Sequence, residues 1–185
     1  MIEDLSFLSH LETHQVPFTM QPLSIEAFLR DFWSKFEPVI WEAGLHSELQ
    51  IAPPPGSGPS APQVLADPVR MEQGLSNLLS NALKFTPPGG TITLFLSYRE
   101  MDGLLYAIIG LSDTGIGIPP DQLEQIFECH YKRYPAGFDS QATGSGLGLA
   151  ITREIVETHK GKIWAESQGA NGSTFFIALP VLTAD

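Results

Sequence analysis

Between Ser24 and Gly44 the apolar residues Ile25, Phe28, Leu29, Phe32, Trp33 and Phe36 recur at helical intervals, which lays them along one face of a helix. Ser24 is a good N-cap for that helix, Pro38 is expected to kink or end it, and Gly44 closes it. A second stripe, Leu75, Leu78, Leu79, Ala82 and Leu83, predicts a helix that opens at Asp67-Pro68, a capping residue followed by proline at the first helical position. Pro87-Pro88-Gly89-Gly90 stops it. A last helix covers roughly Leu147 to His159. Short apolar or alternating segments predict strands at Phe18 to Leu23, Leu45 to Ile51, Thr91 to Glu100 and Leu104 to Ser112, the last two joined by a tight Asp102-Gly103 turn. A final hairpin pairs Lys162 to Ser167 with Thr174 to Leu179 through a turn at Gly169-Ala170-Asn171-Gly172. Leu5, Leu8 and Leu11 make residues 1 to about 15 the tail of a longer helix, ended by Pro17. Pro53 to Pro62 is a surface loop, a short helix ends near Phe127, and a polar irregular stretch runs from there to Gly144. This order of elements predicts an α/β (α+β) two-layer sandwich, one mixed sheet covered on one face by helices.

Composition narrows the classes of function. The 185 residues suffice for one domain with a sizeable core and an appended segment, and 43% hydrophobic content marks a folded chain. A net charge of -11 argues against a nucleic-acid partner, which demands a basic face. The longest apolar run, Leu104 to Leu111, is strand-sized and far below the roughly 20 residues of a membrane span. No basic stretch followed by an apolar core marks a signal peptide at the N-terminus. Cys129 stands alone, which excludes an internal disulfide or a multi-thiolate metal site and fits a reducing cytoplasm.

Three stretches carry candidate chemistry. Asn77, Asn81 and Lys84 share one face of the second predicted helix, with Phe85 beside them. An amide oxygen is a suitable hard ligand for Mg2+, and a lysine supplies a point charge to phosphate; a solvated helix face is the plainer alternative. The turn Asp113-Thr114-Gly115-Ile116-Gly117-Ile118-Pro119 follows an apolar strand. Its alternate glycines permit close approach of backbone to a ligand, and its carboxylate can accept a hydrogen bond from an exocyclic amine. Gly144-Ser145-Gly146-Leu147-Gly148-Leu149 runs straight into a helix, where free N–H groups suit an anion. No Lys-Ser/Thr pair follows those glycines, which excludes a P-loop, and no strand precedes them as in a dinucleotide fold.

Taken in this order, the Asn-Asn-Lys helix, the Asp-x-Gly-x-Gly turn and the Gly-x-Gly-x-Gly helix entry resemble the ATP-binding fold shared by histidine kinases, gyrase B, the Hsp90 chaperones and the MutL repair proteins. Asn77 to Pro87 looks like the N box of histidine kinases, Asp113 to Pro119 like their G1 box, Ile126-Phe127-Glu128 like their F box and Gly144 to Leu149 like their G2 box. The ending, His159 to Pro180, is similar to the family's terminal hairpin. The resemblance implies a mixed, mostly antiparallel sheet with helices on one face, the Bergerat fold. It implies a catalytic ATP-binding domain over residues 16–185, with an ATP lid at about 128–145, and residues 1–15 as the end of a dimerisation hairpin helix. On that resemblance Asn81 would hold Mg2+ against the triphosphate with Asn77 assisting, Lys84 would contact phosphate, and Phe85 would pack on the adenine. Asp113 would receive the adenine amine in a pocket shaped by Gly115, Gly117 and Ile118. Thr143, Gly144, Ser145, Gly146, Leu147 and Gly148 would cradle the phosphates and hinge the lid. Lys132 and Arg133 are adjacent candidates for the lid's phosphate contact. One departure stands out: Cys129-His130 follows Phe127-Glu128 where the family commonly has Pro-Phe.

The ATPases of this fold place a glutamate, as general base for water, where this chain has Asn77; a neutral amide cannot take water's proton. Phosphoryl transfer to an imidazole nitrogen needs positioning and charge neutralisation instead. The expectation is therefore a protein-histidine kinase domain using Mg-ATP, with a regulatory nucleotide-binding module or a clamp-type ATPase as alternatives. Neither His10 nor His14 has the setting of a phosphoacceptor, and His46, His130 and His159 read as structural or surface residues. The expected partners are a histidine-bearing dimerisation hairpin and, through it, a response-regulator receiver domain. The fragment is expected to be a cytoplasmic monomer without nucleic acid or a membrane segment.

Overall fold

The computed structural model describes residues 17–55, 62–129, 146–167, 169 and 171–182. Strand β1 (Gln21–Ser24) leads into helix α1 (Ile25–Glu42), followed by strands β2 (His46–Ile51) and β3 (Gln63–Ala66) and helix α2 (Pro68–Phe85). A long hairpin, β4 (Thr91–Met101) and β5 (Leu104–Asp113), comes next, then helix α3 (Gly148–Thr158) and the hairpin of β6 (Lys162–Ser167) and β7 (Ser173–Pro180). Five strands form one sheet in the order β2-β4-β5-β7-β6, with β2 parallel to β4 and every other pair antiparallel. The mixed, mostly antiparallel sheet expected from the sequence is present. A separate antiparallel ribbon joins β1 to β3.

The apolar stripes bury as their spacing requires. Leu29 and Phe32 of α1, Leu75 and Leu79 of α2 and Ile151 and Ile155 of α3 pack with Leu94, Ile109 and Ile177 of the sheet into one core. On the other sheet face a single rung crosses four strands: Phe95 opposite Gly110, Gly110 opposite Phe176, and Phe176 opposite Trp164. The Phe95 ring lies over Gly110, where a Cβ would stand 1.9 Å from its Cζ. Phe176 meets Phe95 edge-on at 5.9 Å and stacks on Trp164 at 4.9 Å.

Pro38 does not end α1, which continues to Glu42. Its ring lies on the exposed side, so water can solvate the carbonyl that loses its partner, while fully buried Ile40 anchors the last turn. The helix then closes in a Schellman arrangement: Gly44 (φ +74°) donates to Trp41 O at 2.9 Å and Leu45 donates to Ile40 O at 3.1 Å. The first strand begins at Gln21, later than expected, and β3 occupies the four residues between the expected loop and Asp67, where no element was expected. The expected short helix before Phe127 is instead two 3-10 turns, Pro120–Gln122 and Gln125–Phe127. Pro119 and Pro120 lack N–H donors, and each turn closes with an i to i+3 bond, Gln122 N to Pro119 O and Glu128 N to Gln125 O, both 2.9 Å.

The start of α2 is fastened from several sides. Asp67 Oδ1 accepts from the N–H groups of Val69 (3.0 Å) and Arg70 (3.1 Å), and Oδ2 accepts from Thr19 N–H (2.8 Å). Asp67 N–H in turn donates to Nε2 of His159 at 2.8 Å, while Nδ1 of that ring lies 2.7 Å from Ile155 O. The structural role expected for His159 follows: one nitrogen accepts, the other donates, and the buried ring joins the end of α3 to the start of α2.

Candidate functional site

Helix α2 connects the two glycine-rich stretches. The side chains of Asn77, Asn81, Lys84 and Phe85 are all half-buried, between the core stripe and exposed Ser80. At one end of this face, Asn77 Nδ2 donates to Gly148 O at 3.0 Å and reaches Thr152 Oγ1 at 3.3 Å. Helices α2 and α3 approach closely because Gly74 has no side chain; a Cβ there would meet the Thr152 methyl at 3.3 Å. Thr152 is fully buried, and its hydroxyl donates to Gly148 O at 2.8 Å. The amide N–H group of Asn77 is thus directed at Gly148 O and Thr152 Oγ1 of α3, and Oδ1 is the acceptor end of that amide.

At the other end, Phe85 O accepts from Ile116 N–H at 3.3 Å. A Cβ on Gly115 would stand 2.5 Å from that carbonyl, so only glycine lets the turn lie this close. The Lys84 ammonium lies 5.0 Å from the centre of the Phe85 ring. Asp113 ends β5 and is buried at 6% exposure, yet its carboxylate is not orphaned. Oδ1 accepts from Gly115 N–H at 2.8 Å, and Oδ2 accepts from Ser173 Oγ–H at 2.6 Å. These two donors fix the plane of the carboxyl group and offer its remaining lone pairs in set directions.

Gly146, with φ +73°, turns the chain into α3, and Ile151 N–H closes the first helical bond onto Leu147 O at 2.8 Å. Leu147 is fully buried as a whole residue. The early N–H groups of α3 have no intrahelical acceptors and sit beside Asn77, an arrangement suited to an anion. Lys132, Arg133, Thr143, Gly144 and Ser145 lie outside the described residues, as do residues 1–15. Among the described residues no group of His, Cys, Asp or Glu could hold a metal ion by itself, and no helix is long and apolar enough to cross a membrane.

Sequence reasoning named Asn77, Asn81, Lys84, Phe85, Asp113, Gly115 and Gly117 but missed the hydroxyls behind them. Ser173 holds Asp113, Thr152 backs Asn77, and Ser167 Oγ accepts from Ile118 N–H at 2.9 Å. The signal was slight: both serines flank the hairpin turn at Gly169-Ala170-Asn171-Gly172, a place where hydroxyls ordinarily serve only the turn.

Residues 66–183 match the family model of histidine kinase-, DNA gyrase B-, and HSP90-like ATPases. Over 120 residues, 65% of this chain, the sequence is 45% identical to the adaptive-response sensory kinase SasA of Synechococcus elongatus, of which the chain spans only 30%. The full-length ShkA structure in complex with AMPPNP superposes with a TM-score of 0.77 at 29% identity, covering 99% of this chain and 35% of that one. The catalytic domain of histidine kinase ThkA superposes at 0.68 with 26% identity, covering 88% of this chain and 98% of that one.

Proposed function

Because the chain belongs to the family of histidine kinase-, DNA gyrase B-, and HSP90-like ATPases, we propose that it binds Mg-ATP and transfers the γ-phosphoryl group to a histidine on a dimerisation hairpin, as the catalytic domain of a two-component sensor kinase. The observation that carries this reading is the double attachment of α2, through Asn77 to the first residue of α3 and through Phe85 O to the glycine turn. Asp113 takes the adenine amine, with Gly115, Gly117 and Ile118 around the base and Phe85 against its ring. Lys84 meets phosphate, as do Gly146, Leu147 and Gly148 through their backbone. Thr143, Gly144, Ser145 and one of Lys132 and Arg133 complete the phosphate end from the lid. The donor set fits Mg2+ only in company: Asn81 would offer one hard amide oxygen, Asn77 Oδ1 would assist, and phosphates and water would supply the rest. When bound, the ion neutralises charge on the transferring phosphoryl group. Asn77, a neutral amide whose Nδ2 donates to Gly148 O, offers no base for water, which favours transfer over hydrolysis.

The acceptor hairpin, and a receiver domain served through it, are the proposed partners. Residues 1–15 are assigned to the end of that hairpin and residues 16–185 to the catalytic domain, a cytoplasmic monomer when separate. Calorimetric titration with ADP and ATP, with and without Mg2+, tests the site. Asn81→Ala should lose at least about tenfold of the metal-dependent affinity. Asp113→Ala should lose about 10- to 100-fold for either nucleotide, the worth of a hydrogen bond to a charged group. A separately supplied hairpin bearing the acceptor should then become labelled from γ-labelled ATP. Tight ATP binding with no labelled hairpin would remove the kinase reading.

A further inference from the structure

From Thr114 to Pro119 the chain has left the sheet and forms neither helix nor strand, so its shape depends on where its backbone N–H groups go. Thr114 N–H donates to Thr91 O at 3.1 Å, and Ile116 N–H to Phe85 O at 3.3 Å. Gly115 N–H donates to Asp113 Oδ1 at 2.8 Å, and Ile118 N–H to Ser167 Oγ at 2.9 Å. The first three tie the turn to β4, to α2 and to itself. The fourth ties it to the last hairpin.

Ser167 ends β6 and is half-buried. Its hydroxyl accepts from Ile118 and donates to Gly172 O at 2.7 Å across the hairpin tip. The two turns meet with no spare room: a Cβ on Gly117 (φ +70°) would stand 1.5 Å from Gly169 O, and one on Gly172 (φ +89°) would stand 1.9 Å from Asp113 O.

We propose that Ser167 is a positioning residue for the base end of the nucleotide site: through Ile118 N–H it holds the arc of the glycine turn against the tip of the final hairpin. This rests on the nucleotide reading above. A hydroxyl is the small group that can accept from one backbone N–H and donate to a carbonyl at once. Without it, a turn carrying glycines at 115 and 117 gains conformations that the ligand must then select against. Water reaches a half-buried position and can solvate the freed groups, so the loss falls on binding more than on folding.

The full chain carrying Ser167→Ala, Ser167→Cys or Ser167→Thr is titrated with ADP, with and without Mg2+, and the thermal midpoint of each ligand-free protein is recorded. Ser167→Ala should bind ADP about five- to tenfold more weakly, the worth of one hydrogen bond. The factor should be the same with and without Mg2+, because the metal end is untouched, and the midpoint should move little. Ser167→Cys, similar in size but a weak acceptor, should show the same loss and serves if the alanine variant misfolds. Ser167→Thr keeps the hydroxyl and should restore affinity. Wild-type affinity in the alanine and cysteine variants, a loss confined to the Mg2+-dependent increment, or a fallen midpoint with affinity intact overturns the proposal. Failure of the wild-type chain to bind ADP overturns the nucleotide reading itself.

Discussion

Acidification should weaken the fastening between α2 and α3 through one imidazole. Neutral His159 accepts from Asp67 N–H on Nε2 at 2.8 Å and donates from Nδ1 to Ile155 O at 2.7 Å, so both nitrogens are used and a second proton has no acceptor. Burial holds its pKa below the ordinary value of 6.5, against the opposing pull of the Ile155 carbonyl and the Asp67 carboxylate. A depressed folded-state pKa means that the unfolded chain takes up the proton first. Stability from this group is complete above about pH 6.5 and declines as pH falls from there through the folded pKa. Protonation turns Nε2 from acceptor to donor and sets it against a buried N–H, a change worth about 1–3 kcal/mol. Asp67 also titrates below its ordinary 3.8: burial alone would raise it, but the N–H donors of Thr19, Arg70 and Val69 and the charge of Arg70 outweigh burial. Its contribution is lost only in stronger acid, outside the window of His159. The comparison is urea unfolding of wild type and His159→Gln, followed by circular dichroism between pH 7.5 and 5.0. The variant should be the less stable at pH 7.5, and the gap should shrink on acidification by up to about 2 kcal/mol, the ceiling for one proton between pH 6.5 and 5.0. A gap that holds constant or widens refutes the hydrogen-bond assignment.

Gly110→Ala should cost about 1–3 kcal/mol in urea unfolding, because its Cβ would displace the Phe95 ring that now lies over it. In a Phe95→Ala background the cost should largely vanish, and strict additivity in that double-mutant cycle would contradict the packing. Asp67→Ala should cost about 2 kcal/mol by removing the α2 cap and the Thr19 tie. Asp67→Asn, which keeps one oxygen for Val69 and Arg70, should cost about half as much in the same assay; equal losses would mean that the Thr19 bond contributes everything.

What was legible in the sequence had local causes. Asp67-Pro68 announced the start of α2 because cap and first-turn proline act within four residues, and the structure shows that cap. Asp102-Gly103 announced its hairpin because both residues adopt positive φ, 54° and 77°. Pro38 misled because proline's cost depends on which side of a helix meets water, and only the buried Ile40 two residues on reveals that side. Strand β3 was hidden because four residues carry no period, and its ladder comes from β1, some forty residues earlier. In the site, the amide face and the glycine turns could be named from spacing. Ser173 and Ser167 could not, since their partners lie 60 and 49 residues away.

The geometry of α2 also constrains what can fill the site. Asn77 and Phe85 are eight residues apart, about 12 Å along the helix axis, and each is bonded to a different glycine-rich stretch. A compact anion could meet the N–H groups at the start of α3 but would leave Asp113 untouched. A free base could meet Asp113 but would leave those N–H groups to water. On the nucleotide reading proposed above, one elongated ligand, hydrogen-bond donor at one end and anionic at the other, meets both ends together. The two attachments cannot be moved apart or together without bending an 18-residue helix whose stripe is buried in the core. The length of the site is therefore as fixed as the core itself, and adaptation to the ligand must come from the turns.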